Sequence, residues 1–357
     1  LHKEYRRQRQ MCIRDRHKSY LTHFKNKKCN LHERSLEHLM QKVKEGRNII
    51  SLEEDGTTQY LHKVIKGSKV DALRRYNNCL KWEDIRTDTI RLKSPKLIDH
   101  DEDSLSLKYQ WIEHATSLEE ELEQPSPNFK HKIAKAVDML ATLHLSDIND
   151  VDIDSEDQLP QRESLLYALN KYEYAGCTGA ELELFSLLQQ DSELVETIMQ
   201  QSHDNDVCIC HGDIRLDQFI FTDEDIWIID FEELRKGDPS RDLAGLIGSI
   251  YFDCLLKTFT ETTQETSDAK EIEDQFMERG LNYIEQMRPL IQLAYQTYVS
   301  KKMINNIHLA RNIGWFLVER IMSRAKFSFR LTAIDKAILG IGREVIMFPE
   351  NLIELFE

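Results

Sequence analysis

No apolar run in the sequence is long enough to span a bilayer. Stretches such as Ile226-Trp227-Ile228-Ile229 hold four residues where roughly twenty are required. No segment has the pattern of a cleavable signal peptide. The seven cysteines include no CxxC pair and no Cys/His spacing of a zinc site. Cys208 and Cys210 stand two apart inside an apolar run, the setting of a buried strand, so reduced core thiols and a cytoplasmic location are expected. Positive charge is also short, with 47 Lys and Arg against 62 Asp and Glu. The net −15 argues against wholesale binding to nucleic-acid phosphates. Acidity is compatible with a cationic small substrate and equally with an ordinary cytoplasmic protein. Internal repeats and low-complexity tracts are missing too.

What is there fits a folded chain of two lobes. At 357 residues it exceeds one compact layer pair, and 41% hydrophobic with 31% charged residues is globular composition. Residues 1–16 are set aside as a non-native or disordered tail. They hold six Lys/Arg and two Asp/Glu without periodicity, and the run Met11-Cys12-Ile13-Arg14-Asp15-Arg16 resembles translated adapter sequence. That tail carries +4, which leaves −19 on the remainder.

Apolar residues at helical spacing predict a helix from Asn30 to Lys44. Asn48 to Leu52 and Gln59 to Ile65 read as strands of a hairpin turning at Asp55-Gly56. Gly67-Ser68 offers a helix start, followed by an apolar face of Val70, Leu73, Tyr76, Leu80 and Trp82. Beyond Pro95, strands are predicted near Lys96 to Ile98 and Leu105 to Trp111. The pattern then turns helical, with Ile133, Val137, Leu140 and His144 on one stripe, and Ser146 to Asp157 reads as a polar surface loop. Three short apolar stretches, Val207 to Cys210, Gln218 to Phe221 and Ile226 to Phe231, form a strand island within this helical half. Trp315, Phe316, Phe327 and Phe329 fall at near-helical spacing and are expected in the core.

The island carries the chemistry. It reads His211-Gly212-Asp213-Ile214-Arg215-Leu216-Asp217-Gln218, then Ile228-Ile229-Asp230-Phe231-Glu232, then Gly237-Asp238-Pro239-Ser240-Arg241-Asp242-Leu243-Ala244. Asp213 and Asp230 follow the ends of apolar strands seventeen residues apart, a span that a hairpin can fold back on itself. Phosphoryl transfer needs one carboxylate to orient a hydroxyl and accept its proton, and another to hold the magnesium that neutralises nucleotide phosphates.

These motifs resemble the aminoglycoside phosphotransferase and choline kinase superfamily. That resemblance implies an α+β, protein-kinase-like fold with a small β-rich N-lobe over 17–112 and a larger, mainly helical C-lobe over 113–357. It implies ATP and magnesium as cofactors, a small-molecule hydroxyl as acceptor, and neither nucleic acid nor membrane as partner. Asp213 would be the catalytic base, Asp230 the main metal ligand, and His211 and Asp242 supports of the loop. Gln218 departs from the family's Asn at the second metal position; Asp217 or Glu232 would be assisting carboxylates.

In the N-lobe, Gly46 would belong to the turn covering the phosphates and Lys63 would pair with them, with Lys66 its neighbouring alternative. The family's hinge falls at Tyr109 to Glu113, so backbone around Trp111 and Glu113 would meet adenine. A kinase-like lobe also places a Glu on the next helix to hold the lysine, yet none occurs between Ser68 and Lys81. The partner of Lys63 and the oligomeric state stay unassigned.

Bland roles stand beside these. Asp242 at a helix start is expected to cap it, His144 to pack at a helix end, and Arg215 either to meet phosphate or to pair with Asp217. The alternative to an enzyme is a pseudokinase-like nucleotide-binding scaffold. A protein kinase is disfavoured, because Gly237-Asp238-Pro239 follows where an activation segment with Ala-Pro-Glu would begin.

Overall fold

The first described element is a hairpin, and its turn shows why the chain folds there. Gly56 adopts φ 65°, a left-handed conformation that a Cβ would penalise, between β1 (Ile49–Asp55) and β2 (Thr58–Val64). A computed structural model describes residues 47–357 apart from 57, 89, 91, 148–151, 156–161, 201–205, 224 and 261–268. The 1–16 tail, the helix expected from Asn30 to Lys44, and Gly46 lie outside the described residues.

The strand order of the N-lobe sheet is β1-β2-β4-β3, antiparallel throughout, with β3 at Leu97–Asp101 and β4 at Ser106–Gln110. The helix α1 (Lys69–Asp88) packs on it, burying Ala72, Tyr76 and Cys79 against Ile65 and Leu107. Its inner face keeps most of the expected stripe, with Tyr76 and Trp82 buried and Leu73 and Leu80 half-buried against the cluster. Val70 is 83% exposed, whereas Arg75 and Asn78 are buried, because they meet charges and carbonyls of the other lobe.

The C-lobe opens with the short strand β5 (Thr116–Ser117), then α2 (Leu118–Glu123) and α3 (Phe129–His144). The stripe Ile133, Val137, Leu140 and His144 is fully inside, as its spacing predicts. After a 3₁₀ turn at Arg162–Leu166 come α4 (Lys171–Gly176), α5 (Gly179–Gln189) and α6 (Ser192–Met199).

The strand island consists of β6 (Cys208–Cys210), β7 (Phe219–Phe221), β8 (Ile226–Ile228) and an unforeseen β9 (Arg235–Gly237). They form two sheets, β5-β7-β8 and β6-β9. The fold closes with α7 (Pro239–Thr260), α8 (Ala269–Val299), α9 (Asn306–Ala325), α10 (Ala333–Met347) and α11 (Glu350–Phe356).

By length and composition α7 could cross a membrane, but it packs against α8 and α9 with Leu243, Leu246, Ile247 and Ile250 wholly buried. Trp315 and Phe316 are core residues as expected, whereas Phe327 and Phe329 are 71% and 76% exposed. Both lie past the end of α9, where helical spacing no longer decides which way a side chain faces.

Candidate active site

The loop between β6 and β7 is fixed from behind by buried polar groups. Asp242 accepts from the His211 amide at 2.6 Å and from the Gly212 amide at 2.9 Å. It therefore holds the loop and leaves the capping of its own helix to Asp238, whose carboxylate accepts from the Ser240 amide at 2.8 Å. Gly212 sits at φ 88°, and a Cβ there would lie 2.1 Å from the Glu233 carbonyl oxygen. Only glycine lets the loop approach the segment after β8 so closely.

The His211 imidazole is hydrogen-bonded through Nε2 to the Ile229 carbonyl at 2.9 Å and tilts against Phe231, which stacks on Trp82 of α1 with centroids 3.5 Å apart. His144 does more than pack. Its Nδ1 meets the Tyr298 hydroxyl at 2.7 Å and its Nε2 meets Asp242 at 3.2 Å. Burial opposes a charge on this ring, yet the hydrogen bond to Asp242 and the contact with Cys210 prevail and raise it to about 9. Burial likewise opposes ionisation of Asp242, but His144 and the loop amides hold its carboxyl below the ordinary carboxylate range. Nearby, Cys208 and Cys210 lie with His144 within 4.8 Å of one another. Both ring nitrogens are already engaged and burial pushes the Cys210 thiol far up, so this cluster is a hydrogen-bonded support.

In front of that support stand the two carboxylates. Asp213 is bonded to Arg215 at 2.5 Å, and Arg215 also pairs with Asp217 at 3.0 Å. The choice left open for Arg215 thus resolves to carboxylates on both sides. Although 48% of the Asp213 side-chain surface is open, protein crowds the carboxyl. Its desolvation, with the like charge of Asp230, outweighs Arg215 and raises it above the ordinary value.

Asp230 has φ 73°, a strained backbone for a non-glycine residue of the kind that marks functional sites. Its carboxylate is paired with the ammonium of Lys63, which reaches over from β2 with only 7% of its side chain exposed. Lys66 is exposed, so the ambiguity between the two lysines falls to Lys63. Gln218 is buried at the end of the 3₁₀ turn Leu216–Gln218, just before β7, and ties the hairpin, its backbone carbonyl accepting from the Ile229 amide at 3.0 Å. No hydrogen bond of its side-chain amide is found among the described residues. Trp111 is half-buried and Glu113 exposed in the segment after β4, apart from the charged cluster.

Glu232, foreseen as an assisting carboxylate, and residues that no motif announced complete the site. Glu232 bonds Lys63 at 2.7 Å, Arg75 at 3.1 Å and Arg47 at 3.2 Å. Glu233 bonds Arg47 and Arg74, each at 2.8 Å. Asn78 donates to the carbonyls of Glu232 and Leu234 at 3.0 and 3.1 Å. One residue of Asp-Phe-Glu was visible in the sequence as a further carboxylate, but its cationic partners lie more than 150 positions away. A cavity along α1, whose lining includes Lys69, Leu73, Arg74, Asn78, Lys81 and Asp154, reaches the charged cluster at Arg74 and Asn78 and takes in none of the motif residues.

A small antiparallel sheet with one helix, set over a helical lobe that presents a His-Gly-Asp loop and an Asp-bearing hairpin, is the protein-kinase-like two-lobe fold. The chain belongs to the phosphotransferase enzyme family, whose sequence profile matches residues 51–284. No curated protein is matched in sequence. Similar solved structures include the choline kinase of Streptococcus pneumoniae, at 17% identity over 88% of this chain and 98% of that one, with TM-score 0.43. A choline/ethanolamine kinase family protein from Mesorhizobium loti is 13% identical over 88% and 93%, with TM-score 0.43. A spectinomycin phosphotransferase in complex with ADP and spectinomycin is 15% identical over 87% and 89%, with TM-score 0.45.

Proposed function

We propose that this phosphotransferase is an ATP-dependent, cytoplasmic small-molecule kinase that moves the γ-phosphate to an acceptor hydroxyl. The observation that carries the reading is the meeting of Lys63 from one lobe with Asp230 of the other, beside a loop that presents Asp213. In this reading Lys63 holds the nucleotide phosphates and backbone around Trp111 and Glu113 receives the adenine edge.

The carboxylate of Asp230 and the amide oxygen of Gln218 are hard oxygen donors, the kind magnesium selects. Bound magnesium would neutralise the charge on the β- and γ-phosphates. For Asp230 to serve it, the carboxylate must turn from Lys63 toward the cation. Asp213, raised and partly open, orients the acceptor hydroxyl and takes its proton as the phosphoryl group moves. A raised carboxyl is a better base than an ordinary one, because proton affinity and proton transfer rise together.

The test is calorimetric titration with ATP, with and without magnesium, of the wild type and Asp230→Ala side by side. Binding that requires both the metal and Asp230 is expected. A folded wild type that binds no nucleotide under either condition would sink the kinase reading. Binding without phosphate transfer to any of a broad panel of hydroxyl acceptors would favour the pseudokinase alternative.

A further inference from the structure

In the kinase-like lobe the lysine that holds the phosphates is itself expected to be held by a Glu on the following helix, and this chain has none between Ser68 and Lys81. Resting on the kinase reading, we infer that Glu232 takes over that task. It is the positioning residue for Lys63, and α1 grips it through a cation, Arg75, where a carboxylate is expected.

The geometry leaves Glu232 little else to do. Its Oε2 accepts from Lys63 Nζ at 2.7 Å and from Asn48 Nδ2 at 2.8 Å. Its Oε1 accepts from Arg75 at 3.1 Å and from Arg47 at 3.2 Å. All four donors come from the N-lobe, and a carboxylate engaged by four donors has no lone pair to spare for a metal. The carboxylate is 8% exposed and Arg75 is fully buried, so these are desolvated, charge-assisted bonds with fixed geometry. Arg75 is fixed in turn. Its Nε donates to Asp71 at 3.0 Å, one NH group to Asn48 Oδ1 at 3.0 Å, and the other to the Lys66 carbonyl.

The need for a second holder follows from Asp230. Lys63 now has two carboxylate partners, Asp230 and Glu232. Once Asp230 turns to the metal, Lys63 would be left buried with one partner, and that partner must keep its ammonium aimed at the phosphates. Glu232 is placed for this because its grip on Lys63 and its grip on α1 use different oxygens. The order of signs across the contact, carboxylate from the C-lobe and guanidinium from the helix, inverts the expected order. The lysine still receives a helix-anchored carboxylate, through one intermediate residue.

Glu232→Gln is nearly isosteric and tests this, with Arg75→Gln as a second variant and the melting temperature as a check on folding. Loss of the carboxylate is expected to lower kcat/KM for ATP about tenfold or more, while the magnesium concentration for half-maximal rate moves by less than about twofold. Arg75→Gln should shift the same parameter in the same direction by less. A matching rise in the magnesium requirement of Glu232→Gln would make Glu232 a metal ligand and overturn the inference. So would a lowered melting temperature with unchanged ATP kinetics in both variants.

A nucleotide-free measurement separates this inference from the kinase reading. Acylation of Lys63 by an amine-reactive ester, read by peptide mass spectrometry, should be slow in the wild type and several-fold faster in Glu232→Gln, because the amide no longer holds the buried amine in place with a charge-assisted bond. If the wild type binds no ATP, the kinase reading fails and the labelling alone decides. Equal labelling of wild type and Glu232→Gln overturns the Glu232 assignment whatever ATP does.

Discussion

At Asp213 the environment selects a chemistry. A carboxylate beside Arg215 alone would be held low, but crowding and the nearby Asp230 charge raise it. A carboxyl raised in this way suits a base better than one locked in a strong ion pair. Replacing Asp213 with Ala is expected to cut turnover on the order of 10²- to 10⁴-fold, the usual weight of a general base. Nucleotide affinity should stay near the wild-type value, since phosphate and metal contacts are assigned to Lys63, Asp230 and Gln218. Coupled-assay rates and calorimetry on the same preparation check both halves. Normal turnover by Asp213→Ala would remove that residue from the base role.

The elements show how the His-Gly-Asp loop is kept in one shape. The loop lies on α7, and the contact is so close that a Cβ on Gly245 would stand 2.1 Å from the Ile214 carbonyl oxygen. Three positions on, a Cβ on Gly248 would meet the Phe316 ring at 2.6 Å. The first obstacle is backbone next to Asp213 and the second is a side chain in the core. Gly245→Ala is therefore expected to cost about 2–4 kcal/mol and to lower kcat of the folded fraction as well. Gly248→Ala should cost less and leave kcat of the folded fraction unchanged, because a ring can shift where a carbonyl cannot. Denaturant melts paired with activity per folded molecule distinguish the two, and equal kcat in both would show that α7 does not position the loop.

On the scale of the whole molecule, charge is distributed by position. A chain at −15 nevertheless gathers Arg47, Arg74, Arg75 and Lys63 on the inner side of its N-lobe, where they meet Asp230, Glu232 and Glu233. Apolar packing of Trp82, Ile85 and Ile90 in the C-lobe core, with the Trp82–Phe231 stack, joins the lobes alongside these ion pairs. Such contacts hold while their partners stay in place and leave room for adjustment when one, such as Asp230, changes partner.

The deeper pair His144–Asp242 links stability to pH. His144 is raised from 6.5 to about 9, so its contribution is complete below 6.5 and is lost as pH rises through about 9. Asp242 is depressed below 3.8, so its contribution is present above that value and is lost only as pH falls further. The melting temperature should consequently decline between pH 6.5 and about 9, and His144→Gln should flatten that slope. An unchanged slope in the variant would show that the pair stays in one protonation state across the window.

By itself the sequence determined the order of elements and the motif residues. Asp213, Gln218, Asp230 and Asp242 lie within thirty positions of one another, and their spacing is set by short strands and turns that local rules describe. The hairpin at Gly56 and the buried stripe of α3 were legible for the same reason. The tertiary structure alone decided that the inner side of α1 also takes in Arg75, because burying that charge needs a partner such as Glu232, 157 positions away. It also decided that Asp242 secures the loop and not its own helix, and that β9 exists at all. Arg235-Lys236-Gly237 has no apolar alternation, and it becomes a strand only because β6 offers it a backbone ladder. Local chemistry is written along the chain; long-range charge pairing depends on which segments meet, and only the folded lobes fix that.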